Sequence, residues 1–166
     1  MIYVILALLL LIFIFSAYIF FNIVKLKDLS ESLNLCSVKV NELLDKKLQL
    51  IKSILKKLDD KKLNKKFIYN DEDSMLDREK NLFDIGFNIN KHLKNSNNEK
   101  LNDEIKELGL VEESLDGLKD FYNANVLNYN EIFLKKYINK IYRLFKFTDY
   151  KAFKIRKLEE YEIYKN

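Results

Sequence analysis

A chain with one histidine, His92, and one cysteine, Cys36, has few ways to do chemistry. It cannot close an internal disulfide, build a Cys/His zinc site or supply the paired Glu-x-x-His motifs that hold di-iron centres in helical bundles. Glycine-rich phosphate loops, a His-Glu-x-x-His helix and a Gly-x-Ser-x-Gly elbow are also missing from the sequence. Aspartate and glutamate number 25, but none comes with a companion motif, so solvated helix faces account for them. A carboxylate-only cation site is the one enzymatic form left open. The expectation is a non-enzymatic protein with no catalytic residue, metal or cofactor. His92, beside Asn95-Ser96-Asn97-Asn98, reads as an exposed polar side chain.

The side chains best able to recognise something are polar and aromatic ones at helical spacing. Tyr122-Asn123 and Tyr129-Asn130 stand seven residues apart, with Lys119 and Val126 among them. Both tyrosines fall on an apolar seam, and each asparagine lies one position round from it. The simplest reading is structural: tyrosine rings pack in the core with their hydroxyls at its rim, and the asparagines hydrogen-bond between helices and set register. The rival reading is a ligand or partner site. Lys119 is expected to be a surface or rim cation.

Those positions require a long regular helix, and the composition favours one. In 166 residues there is no proline and there are 3 glycines, which disfavours the many tight turns of sandwiches and small barrels. The length suits one domain. Leu101, Leu108, Leu115, Tyr122 and Tyr129 step by sevens, with Ile105, Leu118, Val126 and Phe133 between them. That is a seam of period ~3.5, the pattern of helices packed in a bundle or coiled coil. Ahead of it, Leu29, Leu33, Cys36, Val40, Leu43, Leu50 and Ile54 mark a helix from about residue 25 to 66, widened by Leu44, Leu48, Ile51, Leu55 and Leu58. A turn at Tyr69-Asn70-Asp71 precedes a second helix, capped by Asp71 or Asp73, that carries Met75, Leu76, Leu82, Phe83, Ile89 and Leu93. Ile138, Ile141, Leu144, Phe145 and Phe147 continue helically, and Thr148-Asp149 marks a break before a charged C-terminal helix.

From Met1 to Val24 no side chain is charged. As a helix, Ile2 to Val24 is about 34 Å long at ~1.5 Å per residue, against a hydrocarbon core of ~30 Å. Tyr3 near one end and Tyr18, Phe20, Phe21 and Asn22 near the other suit the two interfaces. A cleaved signal peptide fits less well, because the run lacks a basic n-region, exceeds the usual ~7–15 apolar residues and is followed by no A-x-A site. A lipoprotein site fails too, since Leu35-Cys36 lies well past Val24 and has no small residue before the cysteine. Lys25, Lys27, Lys39, Lys46 and Lys47 follow the run, and only the α-amino group precedes it, so the positive-inside rule puts the N-terminus outside and residues 25–166 in the cytoplasm. The lone Cys36 agrees with a reducing compartment. The predicted fold is therefore all-α: a transmembrane helix over residues 1–24, running on into an elongated antiparallel three- to four-helix bundle over residues 25–166.

Charge is unevenly spread. Residues 25–66 carry a net +6, residues 67–116 a net −7 and residues 117–166 a net +5, giving the formal +4 of the chain. Complementary charge between neighbouring antiparallel helices explains this most simply, each exposed pair contributing under ~1 kcal/mol. The sharper alternative is a basic surface from Lys56, Lys57, Lys61, Lys62, Lys65 and Lys66, joined by Lys135, Lys136, Lys140 and Arg143, that holds anionic lipid, nucleic acid or an acidic partner. Nucleic acid is disfavoured by the small net charge and the absence of a groove-reading motif. Lipid is disfavoured for the first group by its distance of ~45 Å or more along the rod from the membrane end. The partners expected are the bilayer itself and a protein whose identity the sequence does not show.

The stretch Lys119-Asp120-Phe121-Tyr122-Asn123-Ala124-Asn125-Val126, followed by Tyr129-Asn130, resembles the C-terminal signature of the LemA family. There a basic residue precedes Phe-Tyr-Asn, a Val follows, and a second Tyr-Asn comes seven residues after the first. Ile141-Tyr142-Arg143-Leu144-Phe145-Lys146-Phe147 and then Phe153 resemble the family's closing Ile-Ala, Phe-Gly-Phe and Phe. Phe21-Asn22 is similar to its juxtamembrane Tyr-Asn, and Leu44-Asp45-Lys46-Lys47-Leu48-Gln49-Leu50-Ile51 to its Leu, basic pair and Asp-Leu-Ile segment. Residues 67–100 match poorly and are fewer than the family usually has. The family's mid-helix Pro and its Phe-Pro after the second Tyr-Asn are missing, with Lys136-Tyr137 at the latter place, so straighter helices are expected here. Lys119 stands for the usual Arg and Lys146 for the Gly of Phe-Gly-Phe. The resemblance implies a single N-terminal membrane helix, an α-helical bundle, an exterior N-terminus and no established biochemical activity. The family includes a magnetosome-membrane protein and is often encoded beside membrane peptidases. This associates it with scaffolding at membranes or, alternatively, with an accessory role in a membrane peptidase or quality-control system.

Overall fold

Neither proline nor glycine interrupts the first 58 residues, and in the computed structural model of the chain they form one helix, α1 (Ile2–Leu58). The structure describes residues 1–58, 73–94, 101–135 and 138–154. Three more helices follow among these: α2 (Met75–Lys94), α3 (Asn102–Phe133) and α4 (Asn139–Leu144). The described residues contain no strand, and the fold is all-α. The turn at Tyr69-Asn70-Asp71, the lysines from Lys61 to Lys66, the Asn95–Asn98 loop and all of the expected charged C-terminal helix beyond residue 154 lie outside the described residues, and residues 150–154, the expected start of that helix, are not helical.

The start of α1 is long and apolar enough to cross a membrane, with a mean hydropathy of 3.0 over its most apolar window. None of that window is covered by the rest of the described chain, which separates it from the core helix of a soluble protein. The N-cap of α2 is Ser74 rather than Asp71 or Asp73. Its Oγ accepts from the Asp77 amide at 3.3 Å and its hydroxyl donates to Asp77 Oδ2 at 2.6 Å. Asp73 instead accepts from Asn81 Nδ2 at 3.0 Å.

The described chain divides into two compact units. One joins Cys36–Tyr122 to the chain from Phe153. In it α1 and α3 run antiparallel, because Cys36, Lys47 and Lys57 meet Leu118, Glu112 and Glu104 in turn. The α2 helix starts beside Asn41 and Asp45, both held by Arg78. Leucine, isoleucine and valine fill most of its interior: Val40, Leu44, Ile51 and Ile54 on α1, Leu82 and Ile89 on α2, Leu108 and Leu115 on α3. Exposed pairs such as Lys46 with Glu107 (2.8 Å) show the complementary helix charges expected from the segment totals.

The other unit joins Met1–Leu35 to Asn123–Ala152. Its interior is aromatic, with Tyr129, Phe133 and Tyr142 fully buried beside Leu26 and Leu33. The α3 helix stops at Phe133 although no proline follows, which corrects the expectation of continuous straight helix there. The expected helical run from Ile138 to Phe147 is only the six residues of α4, and Leu144 and Phe145 are exposed. A Schellman motif ends α4: the Lys146 amide donates to the Arg143 carbonyl at 3.0 Å and the Phe147 amide to the Tyr142 carbonyl at 3.3 Å. Lys146 takes the left-handed conformation this motif needs, with φ 64°.

Candidate functional site

Helical spacing divides the singled-out residues between a buried face and a rim. Tyr122, Val126 and Tyr129 point inward at 5%, 3% and 0% exposure. The next residue after each tyrosine, Asn123 and Asn130, is turned about 100° round the axis and lands half-buried at the edge. In the unit containing Met1–Leu35, these two asparagines, Val126, Leu127, Glu131, Leu134 and Ala152 line an open groove of 420 Å³. Leu127 and Leu134 lie one heptad apart and are exposed, forming its apolar wall.

The extended segment after α4 makes the other side. Asn130 Nδ2 donates to the Tyr150 carbonyl at 3.0 Å, and the Tyr150 hydroxyl lies 2.8 Å from Ser30 Oγ on α1. The Tyr150 ring meets Tyr129 edge to face at 4.9 Å, and Tyr129 stacks on Phe133 at 5.7 Å. Asn130 therefore ties a helix to a non-helical segment, which corrects the expected helix-to-helix bond. Its Oδ1 is buried without a hydrogen-bond partner. A donor in the groove would reach this acceptor only if the Asn130 amide turned outward.

The Tyr129 hydroxyl does not reach the rim as expected; it too is buried without a hydrogen bond. Burial first and then the charge of Tyr150 push it up to about 12, the Thr148 main chain pulling the other way and Asp149 adding a smaller push. Tyr122 packs edge to face on Phe153 at 5.1 Å, within the unit containing Cys36–Tyr122.

Lys119 is the clearest correction. It is 4% exposed, with Nζ 2.9 Å from Glu79 Oε1 and 2.7 Å from Asp116 Oδ1. Burial alone would lower its proton affinity, but the two carboxylates outweigh that and hold the ammonium above the usual lysine range. A second buried pair, Lys47 with Glu112, joins α1 to α3, and the Lys47 ammonium lies 5.6 Å from the Phe83 ring centre. Sequence reasoning missed Lys47, Glu79 and Glu112. A signal was present: Lys47 sits on the heptad Leu26, Leu33, Val40, Ile54, and Glu112 and Lys119 share one with Val126 and Phe133. Leu118, expected in that stripe, is only half-buried.

His92 is exposed, and Cys36 is buried with its thiol directed at the Leu118 carbonyl, burial raising its pKa. Among the described residues no three His, Cys, Asp or Glu side chains converge on a point where a metal ion could sit. Comparison with family models, curated proteins and solved structures finds no match to this chain.

Proposed function

We propose that this chain is a membrane-anchored helical interaction protein that works without catalysis, holding a protein partner in the groove on α3. The observation that carries the reading is the groove itself, where Asn123, Val126 and Asn130 meet the exposed Leu127 and Leu134 and a buried, unpaired Asn130 Oδ1. The apolar wall supplies affinity, and the amide and Glu131 supply direction, the division of labour common in partner sites. The uncovered apolar start of α1 is the anchor. The positive-inside rule sets the N-terminus outside and the rest in the cytoplasm, with Lys25 and Lys27 just past the apolar run.

The LemA-type reading draws support from Lys146. It stands at the glycine of the family's Phe-Gly-Phe and adopts φ 64°, a conformation that favours glycine.

Photo-crosslinking side chains at Leu127 and Leu134, in the full chain in its native membrane, test the groove. The expected result is one discrete protein adduct from both positions, lost on Glu131→Lys and absent from Leu110, which is equally exposed but lies elsewhere on α3. Equal labelling at all three positions would remove the groove as a partner site.

A further inference from the structure

We propose that the α4 foot, Lys135 together with residues 138–146, rests on the bilayer and recognises anionic lipid headgroups, deepening the anchor reading on which it depends. Three observations within the unit containing Met1–Leu35 point there. First, Lys135 Nζ hydrogen-bonds the Tyr18 hydroxyl at 2.9 Å and lies 5.5 Å from its ring centre. Tyr18 is inside the uncharged run that ends at Val24, so the contact falls at the membrane end of α1 and not beyond it. Tyr142 on α4 is within electrostatic reach of the same two groups.

Second, the side chains left outside are amphipathic in the manner of an interfacial segment. Leu144 and Phe145 are 82% and 56% exposed, while Tyr142 just before them is fully buried and anchors the segment to its unit. Third, the accompanying charge has one sign. Lys135, Lys140, Arg143 and Lys146 are all exposed, and the sequence from Leu134 to Thr148 contains no acidic residue. Apolar side chains at the acyl boundary with lysine and arginine at the headgroups is the arrangement of membrane-surface segments, and basic residues there attract anionic lipid. Lys135 is 117 residues from Tyr18 in sequence, so only the fold puts it at the membrane end.

The chain has no tryptophan, so Phe145→Trp gives a single reporter of depth. The full-length variant is reconstituted into phosphatidylcholine vesicles with and without phosphatidylglycerol, each also prepared with brominated acyl chains. The proposal expects a blue-shifted, bromine-quenched emission that strengthens with phosphatidylglycerol and falls back on adding Lys140→Glu and Lys146→Glu. Leu110→Trp, on an exposed site elsewhere, should stay red-shifted and unquenched in both. If the protein floats with the vesicles but the Phe145→Trp variant emits like the Leu110→Trp variant, the foot does not touch lipid and the proposal fails while the anchor stands. Quenching that is equal with and without phosphatidylglycerol overturns headgroup recognition. Emission shielded in native membranes but water-exposed in both vesicle types overturns the lipid in favour of a protein. Failure to float at all removes the anchor and the foot together.

Discussion

Within the unit built on Cys36–Tyr122, the inward heptad positions include Lys47, Glu79, Glu112 and Lys119, whereas in the unit built on Met1–Leu35 and Asn123–Ala152 they are filled by Tyr129, Phe133 and Tyr142. Both fill space between helices, but their polar atoms are treated differently. In the first, each buried ammonium meets a carboxylate, Lys47 with Glu112 and Lys119 with Glu79 and Asp116, and the one oxygen left without a hydrogen bond, Glu112 Oε2, belongs to a carboxylate already paired through Oε1. In the second, the Tyr129 and Tyr142 hydroxyls are buried with no hydrogen bond. A buried charge cannot be left unpaired, while a buried hydroxyl can be tolerated at a cost of a few kcal/mol or less. The ionic core thus accepts a narrow set of partners at a narrow set of positions and fixes which residues of α1, α2 and α3 meet. The aromatic core gains from ring contacts, which are more permissive of small shifts.

The largest expected effect breaks the ionic side of this comparison. Glu112→Ala removes the carboxylate that faces the fully buried Lys47 ammonium and should cost about 3–5 kcal/mol. Replacing both partners, Lys47→Met with Glu112→Leu, should recover most of that loss or exceed the parent, because two desolvated charges are exchanged for packed apolar groups. Urea unfolding of the full chain in detergent, followed by far-ultraviolet circular dichroism, measures both. A single substitution costing under about 1 kcal/mol would show the pair is solvated after all.

The aromatic side is tested with alkali. Tyr129 has a folded pKa raised from 10.0 to about 12, so its neutral form belongs to the folded state and its phenolate to the unfolded one. Its contribution is complete below pH 10 and is lost as the pH rises towards 12, by up to about 3 kcal/mol. Tyr129→Phe should remove that alkaline slope and change stability little at pH 7, where the hydroxyl has no partner to lose. A shallower slope should persist in the variant. Lys119, also held above its ordinary 10.5, gives stability present below that value and lost as the pH passes its folded pKa. An unchanged slope in Tyr129→Phe would place the alkaline sensitivity in Tyr142, whose pKa burial also raises, and in Lys119.

The apolar and aromatic positions were more legible than the ionic ones. Leu101, Leu108, Leu115, Tyr122 and Tyr129 were readable as one seam from their spacing, and all five are buried. The apolar start of α1 was readable from composition alone, because an uncharged run needs no partner to declare itself. The ionic core was not, since a lysine on a helix is normally solvated, and only its register with Leu26, Leu33, Val40 and Ile54 betrays Lys47. The groove was half legible. Asn123, Val126 and Asn130 stood out by motif, but Ala152 reaches it through a return of the chain that no local pattern encodes. The placement of Lys135 against Tyr18 is of the same kind, a long-range consequence of where α3 stops.

That stop is where the smallest effect sharpens the contrast. The α4 helix closes on Lys146 at φ 64°, and a side chain there crowds the following carbonyl by about 1–2 kcal/mol relative to glycine. Glycine regains only part of this, because it also loosens the unfolded chain, so Lys146→Gly should stabilise by about 1 kcal/mol. Lys146→Ala keeps the Cβ and should be neutral, which separates backbone strain from loss of the lysine charge. Because the gain belongs to the aromatic unit, it should add to the penalty of Glu112→Ala without interaction in the double variant. An interaction term above about 0.5 kcal/mol would mean that the two substitutions act on shared structure, and the ionic and aromatic interiors would then not be energetically separate.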